Sequence, residues 1–305
     1  MSRTKAALFL LPGFPETGRN PPMAAVSVII PTYNRVDFLK EAVDSVLDQA
    51  YPEVEVIVVD DGSTDGTPEL LSRYGEAIRI IRQDNAGVSA ARNAGIRRAT
   101  GRLIALLDSD DLWLPGKLAA QTAFFDAHPE SVICQTEELW VRRGRRVNPG
   151  KRHRKRAGWI FVPSLSLCLV SPSAVMMRRS LLDEVGLFDE SLPACEDYDF
   201  WLRVARRHPI DLIETPLIVK RGGHPDQLSA APGLDRYRIQ SILKILEGED
   251  PPADYREAAI SVLAEKCRIY ANGCFKRGRR DEGRRYTALA DRYAALRERD
   301  GNGRL

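Results

Sequence analysis

The sequence alternates short β-branched segments with amphipathic segments from Met23 onward, and this alternation constrains the fold more than any other feature. VSVIIP and VEVIVVDD are continuous apolar runs typical of buried strands, whereas FLKEAVDSVLDQ between them repeats apolar residues at helical intervals. Three further segments continue the alternation: IRIIRQ, GVSAARNAGIRRA and GRLIALLD. Strands and helices that alternate over such short distances require a mainly parallel sheet with helices on both faces. The predicted fold class is therefore α/β.

Polar residues follow each of the four predicted strands at the point where the strand ends. These segments are PTYNR, DDGSTD, QDNAG and DSDD. In open α/β sheets, ligands bind outside the carboxyl ends of the strands. The sequence therefore predicts that the four polar segments meet at one edge of the sheet and form a site there.

The DSDD segment places Asp108, Asp110 and Asp111 within four positions, which is costly unless a positive charge lies among them. Mg²⁺ or Mn²⁺ fits, because these ions prefer oxygen ligands and often share their coordination with substrate phosphates. No His or Cys lies nearby in the sequence, which argues against zinc. The alternative is a solvated acidic turn in which Asp111 caps the next helix. The sequence contains neither GxGxxG nor GxxxxGK[ST], so it supports neither a dinucleotide-binding fold nor a P-loop.

The cysteine content and the charge distribution narrow the possible cellular compartment and the possible binding partners. The five cysteines form no CxxC pair, which indicates a reducing compartment rather than a disulfide framework or zinc site. Residues 142–156 carry nine Lys/Arg and one His, whereas the formal net charge is only +3. This basic segment is expected to be a solvated loop or to contact anionic lipid or an anionic glycan. It lacks interleaved aromatic residues, so no nucleic-acid partner is expected.

Three parts of the chain are expected to differ in organisation. Residues 1–23 are predicted to be a flexible leader, because Pro12 and Pro15 interrupt their apolar run. Residues 24–229 hold the strand–helix alternation, and residues 230–305 are predicted to be helical and to pack against that domain. Within the second part, VICQTEELWVRR is predicted to be a pair of strands.

Five segments in order resemble the successive motifs of family 2 glycosyltransferases. They are VSVIIPTYNR, VEVIVVDDGSTDGT, NAGVSAARNAGI, LIALLDSDDLWLPGKL and CEDYDFWLRV. The resemblance covers residues 24–229 and implies the GT-A fold, a Rossmann-like sheet that binds nucleotide-diphospho-sugars, with residues 230–305 as a C-terminal helical extension.

The resemblance also assigns a role to individual positions. It implies a nucleoside pocket in which Tyr33 stacks on the base and Asp61 accepts a hydrogen bond from it. It places Asp110 and Asp111 at an Mn²⁺ or Mg²⁺ ion and makes Asp197 the catalytic base. The other positions that it assigns to binding the donor are Pro31, Thr32, Asp60, Arg92, Asp108, Ser109 and His224.

The activity implied is that of a metal-dependent, inverting glycosyltransferase. It would move a sugar from a nucleotide-sugar, with a UDP-sugar favoured, to a hydroxyl of a glycan or lipid-linked acceptor in cell-envelope polysaccharide or glycolipid synthesis. The expected location is cytoplasmic, with peripheral contact at the inner face of the membrane through residues 142–156. Two alternatives stay open: a nucleotidyltransferase, and an inactive protein of the same fold that binds a sugar or a partner.

Overall fold

A nine-stranded mixed sheet organises the protein in this computed structural model. The structure describes residues 25–224, 227, 231–248 and 251–302. The strands are β1 Val26–Thr32, β2 Val54–Asp60, β3 Arg79–Arg82, β4 Leu103–Leu106, β5 Leu112–Trp113, β6 Ile133–Arg142, β7 Arg145–Val147, β8 Val175–Arg178 and β9 Asp211–Gly222. The helices are α1 Val36–Leu47, α2 Thr67–Ser72, α3 Val88–Arg98, α4 Lys117–Ala127, α5 Phe161–Ser166, α6 Arg179–Val185, α7 Glu196–Ala205, α8 Asp235–Glu247, α9 Ala253–Lys276 and α10 Arg280–Asn302. The α/β fold class predicted from the sequence is confirmed.

The first four strands of the sheet are parallel, in the order β3-β2-β1-β4. Their register places Thr32, at the end of β1, beside Asp60 of β2, and Asp60 beside Arg82 of β3. The carboxyl ends of the strands are therefore level, and the polar segments that follow them gather at one edge. Both faces of β1 are buried, which explains its unbroken apolar sequence.

The rest of the sheet is mixed, because β8 is antiparallel to both β4 and β6, whereas β9 is parallel to β6. The expectation of a strand pair in VICQTEELWVRR is wrong, since this segment is the single long strand β6. The basic segment 142–156 is not simply a loop either. Its first part turns into β7, which forms a hairpin with β6.

Helices cover both faces of the sheet and produce two apolar cores. Alternate residues of the central strands point to opposite sides, so Ile29 joins the core under α3 and α7, whereas Val28 joins the core under α1 and α4. Helix α3 lies close to β1 at Gly95, where a Cβ atom would overlap the Ile29 side chain. A glycine is needed there because the helix and the strand approach too closely for any side chain.

The three C-terminal helices continue the core on the α3 side of the sheet. Tyr255 of α9 stacks on Phe161 of α5 with ring centroids 4.6 Å apart, and Lys266 donates to the Ser166 carbonyl at 3.0 Å. The division at residues 229 and 230 stays a prediction, and the predicted leader, residues 1–23, lies outside the described residues. In the described part of the chain, no helix combines the length and the apolarity that crossing a bilayer requires.

Candidate active site

A cavity of about 1100 Å³ opens at the carboxyl ends of the parallel strands. Its walls come from the loops after β1, β2 and β4, from the start of α7, and from β6 and β9. It brings together ten of the predicted site residues: Pro31, Thr32, Tyr33, Asp61, Arg92, Asp108, Ser109, Asp110, Asp111 and Asp197. Asp60 and His224 do not line it, but each lies directly behind a residue that does.

The segments after β1 and β2 form the end of the cavity at which a nucleoside is expected. Tyr33 is 46% exposed, so one face of its ring is open to stacking. Asp61 is buried and accepts from the backbone N–H groups of Ala86 at 2.9 Å and Gly87 at 2.8 Å. Asp60 lies behind it and accepts from the Ser63 N–H at 2.9 Å, which fixes the DDGS turn. The aromatic ring and the oriented carboxylate match the predicted base pocket in chemistry.

Arg92 of α3 connects two acidic parts of the site. Its guanidinium donates to Asp108 at 2.7 Å and to Glu196 at 2.6 Å, and Arg92 is only 3% exposed. Burial opposes the charged form of Arg92, but the two carboxylates outweigh burial and raise its pKa. Arg92 therefore forms an ion pair with each of the two carboxylates, while a contact between Arg92 and the donor stays a prediction.

Asp110 faces two basic side chains. Its Oδ2 atom lies 2.9 Å from Arg35 Nη1 and 2.9 Å from His224 Nε2. His224, in the loop after β9, also packs its ring on Phe38 with centroids 5.4 Å apart. The loop after β9 therefore meets the acidic segment at Asp110, which brings the predicted His224 to the site even though it does not line the cavity.

Asp111 is the most buried of the three carboxylates, at 3% exposed. It accepts from Ser173 Oγ at 2.6 Å and from the Arg221 backbone N–H at 2.8 Å. Burial raises the pKa of Asp111 well above its usual range, and the charges of Asp110 and Asp108 raise it further. The alternative of a solvated capping turn is wrong for Asp111, because its oxygens are turned inward to these two donors.

The acidic segment fits a hard divalent cation in its donor chemistry. Asp111 is a buried carboxylate beside two others, and among the described residues it forms no ion pair. An Mg²⁺ or Mn²⁺ ion would lower the repulsion between these groups, and carboxylate oxygens are its preferred ligands. In the described ranges, however, no three acidic, His or Cys side chains are already arranged around one point as ligands.

Asp197 is the second residue of α7 and is half-buried in the cavity wall. Helix α7 starts after Cys195, whose φ of 60° is left-handed, and Asp197 accepts from its neighbour's Tyr198 N–H at 2.7 Å. Asp197 is therefore not the N-cap residue of α7, although it accepts from one N–H group of the first turn. Its Oδ2 atom lies 3.6 Å from the thiol of Cys168.

Asp199 lies outside the cavity, as expected for a residue two positions further along a helix. It is 2% exposed and accepts from Arg203 Nε at 3.0 Å and from Lys244 Nζ at 2.9 Å. Asp199 thus holds α7 to α8, while Asp197 faces the cavity.

The sequence analysis missed a buried polar network in the floor of the cavity, between β6 and β9. The Glu138 side chain, 6% exposed, pairs with Lys155 at 3.1 Å and accepts from Ser171 Oγ at 2.8 Å, and Lys220 donates to the same Ser171 oxygen at 3.0 Å. Burial favours neutral Glu138, but Lys155 and Lys220 outweigh it and lower its pKa to about 2. The only signal in the sequence was an acidic pair inside the apolar strand β6.

Comparisons with known proteins agree with this geometry. The family model described as Glycosyl transferase family 2 matches residues 27–186, more than half of the chain. The chain belongs to glycosyl transferase family 2. An uncharacterized glycosyltransferase of Rickettsia conorii is 32% identical over 207 residues, which are 64% of this chain and 34% of that protein. A putative teichuronic acid biosynthesis glycosyltransferase of Bacillus subtilis, TuaG, is 48% identical over 103 residues, 32% of this chain and 41% of the relative.

Solved structures show the same fold. Residues 1–349 of Staphylococcus aureus TarS, crystallised with UDP-GlcNAc, superpose with a TM-score of 0.70 at 24% identity, covering 87% of this chain and 79% of that one. The mannosyltransferase PcManGT of Pyrobaculum calidifontis, in complex with GDP-Man and Mn²⁺, gives a TM-score of 0.56 at 21% identity, covering 89% and 85% of the two chains. The predicted GT-A fold and its C-terminal helices are confirmed. The match spans about a third of the length of the Rickettsia conorii relative.

Proposed function

We propose that this family 2 protein transfers a sugar from a nucleotide-sugar donor to a hydroxyl group of an acceptor. The observation that carries the proposal is the position of Asp197 in the same cavity as Asp108, Asp110 and Asp111. The acidic segment provides ligands for a cation that would hold the donor diphosphate. Asp197 provides a carboxylate on the other wall that can accept a proton.

Different residues of the protein have different roles in an inverting transfer. Tyr33 and Asp61 hold the base. The DSDD segment holds the neighbouring part of the donor, and within it Asp110 and Asp111 are the residues proposed to bind the cation. Asp197 takes the proton of the acceptor hydroxyl as that oxygen attacks the anomeric carbon, which is the work of a general base. A bound Mn²⁺ or Mg²⁺ ion would neutralise the negative charge of the leaving nucleotide diphosphate.

A UDP-sugar is the donor that we favour. TarS, the structural relative with the TM-score of 0.70, was crystallised with UDP-GlcNAc, and PcManGT holds GDP-Man with Mn²⁺. Both are nucleotide-diphospho-sugars, which supports the class of donor, and the second supports Mn²⁺ as the cation. The class of donor is the broader proposal, and the particular base and sugar are narrower ones.

The acceptor that we propose is a glycan or a lipid-linked sugar of a cell-envelope polysaccharide. The similarity to TuaG, a putative teichuronic acid biosynthesis glycosyltransferase, supports a polysaccharide product. The proposed location is the cytoplasm, at the inner face of the membrane. The exposed arginines of the basic segment, such as Arg143, Arg145 and Arg146, would then contact anionic headgroups.

Nucleotide release from UDP-GlcNAc, UDP-glucose and GDP-mannose, with Mn²⁺ and a mixture of sugar acceptors, tests the proposal. Release of one nucleotide that depends on acceptor and stops in Asp197→Asn supports transfer. Binding of a nucleotide-sugar with no release under any condition would instead favour an inactive protein of this fold. Release of pyrophosphate from a nucleoside triphosphate and a sugar phosphate would favour a nucleotidyltransferase.

A further inference from the structure

One wall of the cavity combines an aromatic ring with cationic side chains. Trp140 of β6 lines the cavity together with Arg142, Arg152 and His153. The Arg142 guanidinium lies 5.3 Å from the centroid of the Trp140 ring, and the His153 ring centroid lies 5.3 Å from it. We call these four residues the Trp140 wall. They come from the basic segment and the end of β6, which the proposed donor site does not use.

The carboxylate next to the Trp140 wall, Glu138, pairs with Lys155 and not with the arginines of the wall. Among the residues that the structure describes, neither Arg142 nor Arg152 forms an ion pair, and the contacts they make are to Trp140 and His153. Most other cations that line the cavity are paired: Arg35 with Asp110, Arg92 with Asp108 and Glu196, Arg221 with Glu41, and both Arg238 and Lys266 with Asp235. Lys220 also lines the cavity without an ion pair among the described residues, and its Nζ atom lies 5.6 Å from the centroid of the Trp140 ring. The lining cations without an ion pair therefore gather around Trp140.

The fold holds this wall in place. Trp140 donates through its indole N–H to Glu138 at 2.7 Å, which fixes the ring, and Lys155 pairs with the same carboxylate at 3.1 Å. Lys155 is 4% exposed, so the end of the basic segment is anchored in the floor of the cavity. Burial lowers the pKa of His153, and the nearby charges of Arg152, Lys220 and Arg142 lower it further against the opposite effect of Glu138, which agrees with a net positive field at the wall.

We propose that the Trp140 wall binds the acceptor, and that this acceptor is a saccharide carrying a carboxylate or phosphate group. This inference rests on the proposed function. Guanidinium groups form two parallel hydrogen bonds to carboxylate or phosphate oxygens, while the apolar face of a sugar packs on an aromatic ring. Because Asp197 lines the same cavity, an anionic unit bound at this wall leaves a neighbouring hydroxyl free to approach the base.

The position of Arg142 and Arg152 in the cavity lining, beside Trp140, favours a saccharide over a lipid surface as the occupant of this particular site. All four arginines, Arg142, Arg145, Arg146 and Arg152, are exposed, but Arg145 and Arg146 do not line the cavity. The chain thus offers two pairs of arginines on one basic segment that differ in whether they face the cavity.

Calorimetric titration with matched probes tests the proposal in the full-length protein. One pair of probes is trigalacturonate and its methyl ester, which share a skeleton and differ in charge. The second pair is maltotriose carrying one phosphate monoester and unmodified maltotriose. We expect at least one anionic probe to bind about tenfold more tightly than its neutral twin, because hydrogen bonds to charged groups are stronger than those between neutral groups. Equal affinities within both pairs would overturn the proposal.

Two double variants distinguish a specific wall from a general attraction between charges. Arg142→Gln/Arg152→Gln should lower the affinity for the anionic probe about tenfold and leave the neutral probe unchanged. Arg145→Gln/Arg146→Gln removes the same charge and should change either affinity by less than about twofold, as is usual for exposed charges. An equal loss in both double variants would contradict a site at the cavity wall. So would binding of phosphatidylglycerol vesicles that depends on Arg142 and Arg152 without any preference among the saccharides.

Titration of the same variants with UDP and Mn²⁺ separates this proposal from the proposed function. Donor binding that is retained in Arg142→Gln/Arg152→Gln, together with loss of the anionic probe, supports an acceptor site. If no variant or parent protein binds any nucleotide, the proposed function fails, whatever the saccharides do. If nucleotides bind and charge makes no difference to saccharide binding, only the acceptor inference fails.

Discussion

The Arg92 guanidinium donates to Asp108 at 2.7 Å, and it thereby joins the acidic segment after β4 to the start of α7 through Glu196, 2.6 Å away. We expect Arg92→Met to lower the free energy of unfolding by about 3 kcal/mol, because it leaves the buried Glu196 without its cation. Urea denaturation followed by circular dichroism measures this change. The variant should also lose transfer activity, since Asp197 is next to Glu196 in α7.

The matched control for Arg92→Met is the double variant Arg92→Met/Glu196→Gln. It removes the unpaired carboxylate together with the cation, so it should recover roughly half or more of the lost stability. If the double variant were less stable than Arg92→Met alone, the ion pair would not be the reason for the loss.

Substitution of Asp197 is predicted to lower the catalytic rate, whereas substitution of Asp199 is predicted to lower stability. Asp197→Asn should lower kcat by about 10²–10⁴-fold with little change in nucleotide affinity, because it removes the proposed general base and none of the residues proposed to bind the donor. Asp199→Asn should mainly lower stability, since Asp199 pairs with Arg203 and Lys244 away from the cavity. Steady-state kinetics and thermal unfolding of both variants check this. Equal kcat values for Asp197→Asn and the parent protein would exclude Asp197 as the base.

Lys117 is expected to make the stability of the protein depend on alkaline pH. It is fully buried against the Trp113 ring, 4.3 Å from the centroid, and burial lowers its pKa from 10.5 to about 7. The unfolded chain therefore binds a proton between pH 7 and 10.5 that the folded protein does not, so stability rises with pH across this window. Lys117→Met should be more stable by on the order of 2 kcal/mol at pH 7.

The advantage of Lys117→Met should shrink as the pH approaches 10.5, where the lysine is neutral in both states. Urea denaturation at pH 7, 8.5 and 10 measures the difference between the two proteins, so that other groups titrating in this range cancel. A difference that is constant across these pH values would show that Lys117 keeps its proton in the folded protein.

The edge of the sheet where the site lies was predictable from the sequence, because the strand–helix pattern that determines it is formed by residues close together in the sequence. Strand-helix alternation requires parallel strands, and parallel strands bring the residues after Thr32, Asp60 and Leu106 to one edge.

The partners of the acidic residues were not predictable, because they come from distant segments without a motif. Ser173 reaches Asp111 across 62 positions, and Arg221 reaches it across 110. The basic segment shows that the charge pattern of a sequence does not reveal which of its charged side chains are buried. Its composition predicts solvation, yet Lys155 is buried, because Glu138 of β6 supplies a carboxylate that only the fold brings within reach.

We propose that the acidic segment binds a nucleotide diphosphate through a divalent cation. Calorimetric titration with UDP, GDP and dTDP, each with and without Mn²⁺, tests it most directly, using the parent protein, Asp110→Ala and Asp111→Ala, with Asp126→Ala on the outer face of α4 as the control. We predict that one nucleotide binds only with Mn²⁺, that Asp126→Ala binds it equally well, and that both site variants lose at least about tenfold in affinity. Binding that is equally strong without the metal, or unchanged in both site variants, would contradict nucleotide binding through a cation at the acidic segment.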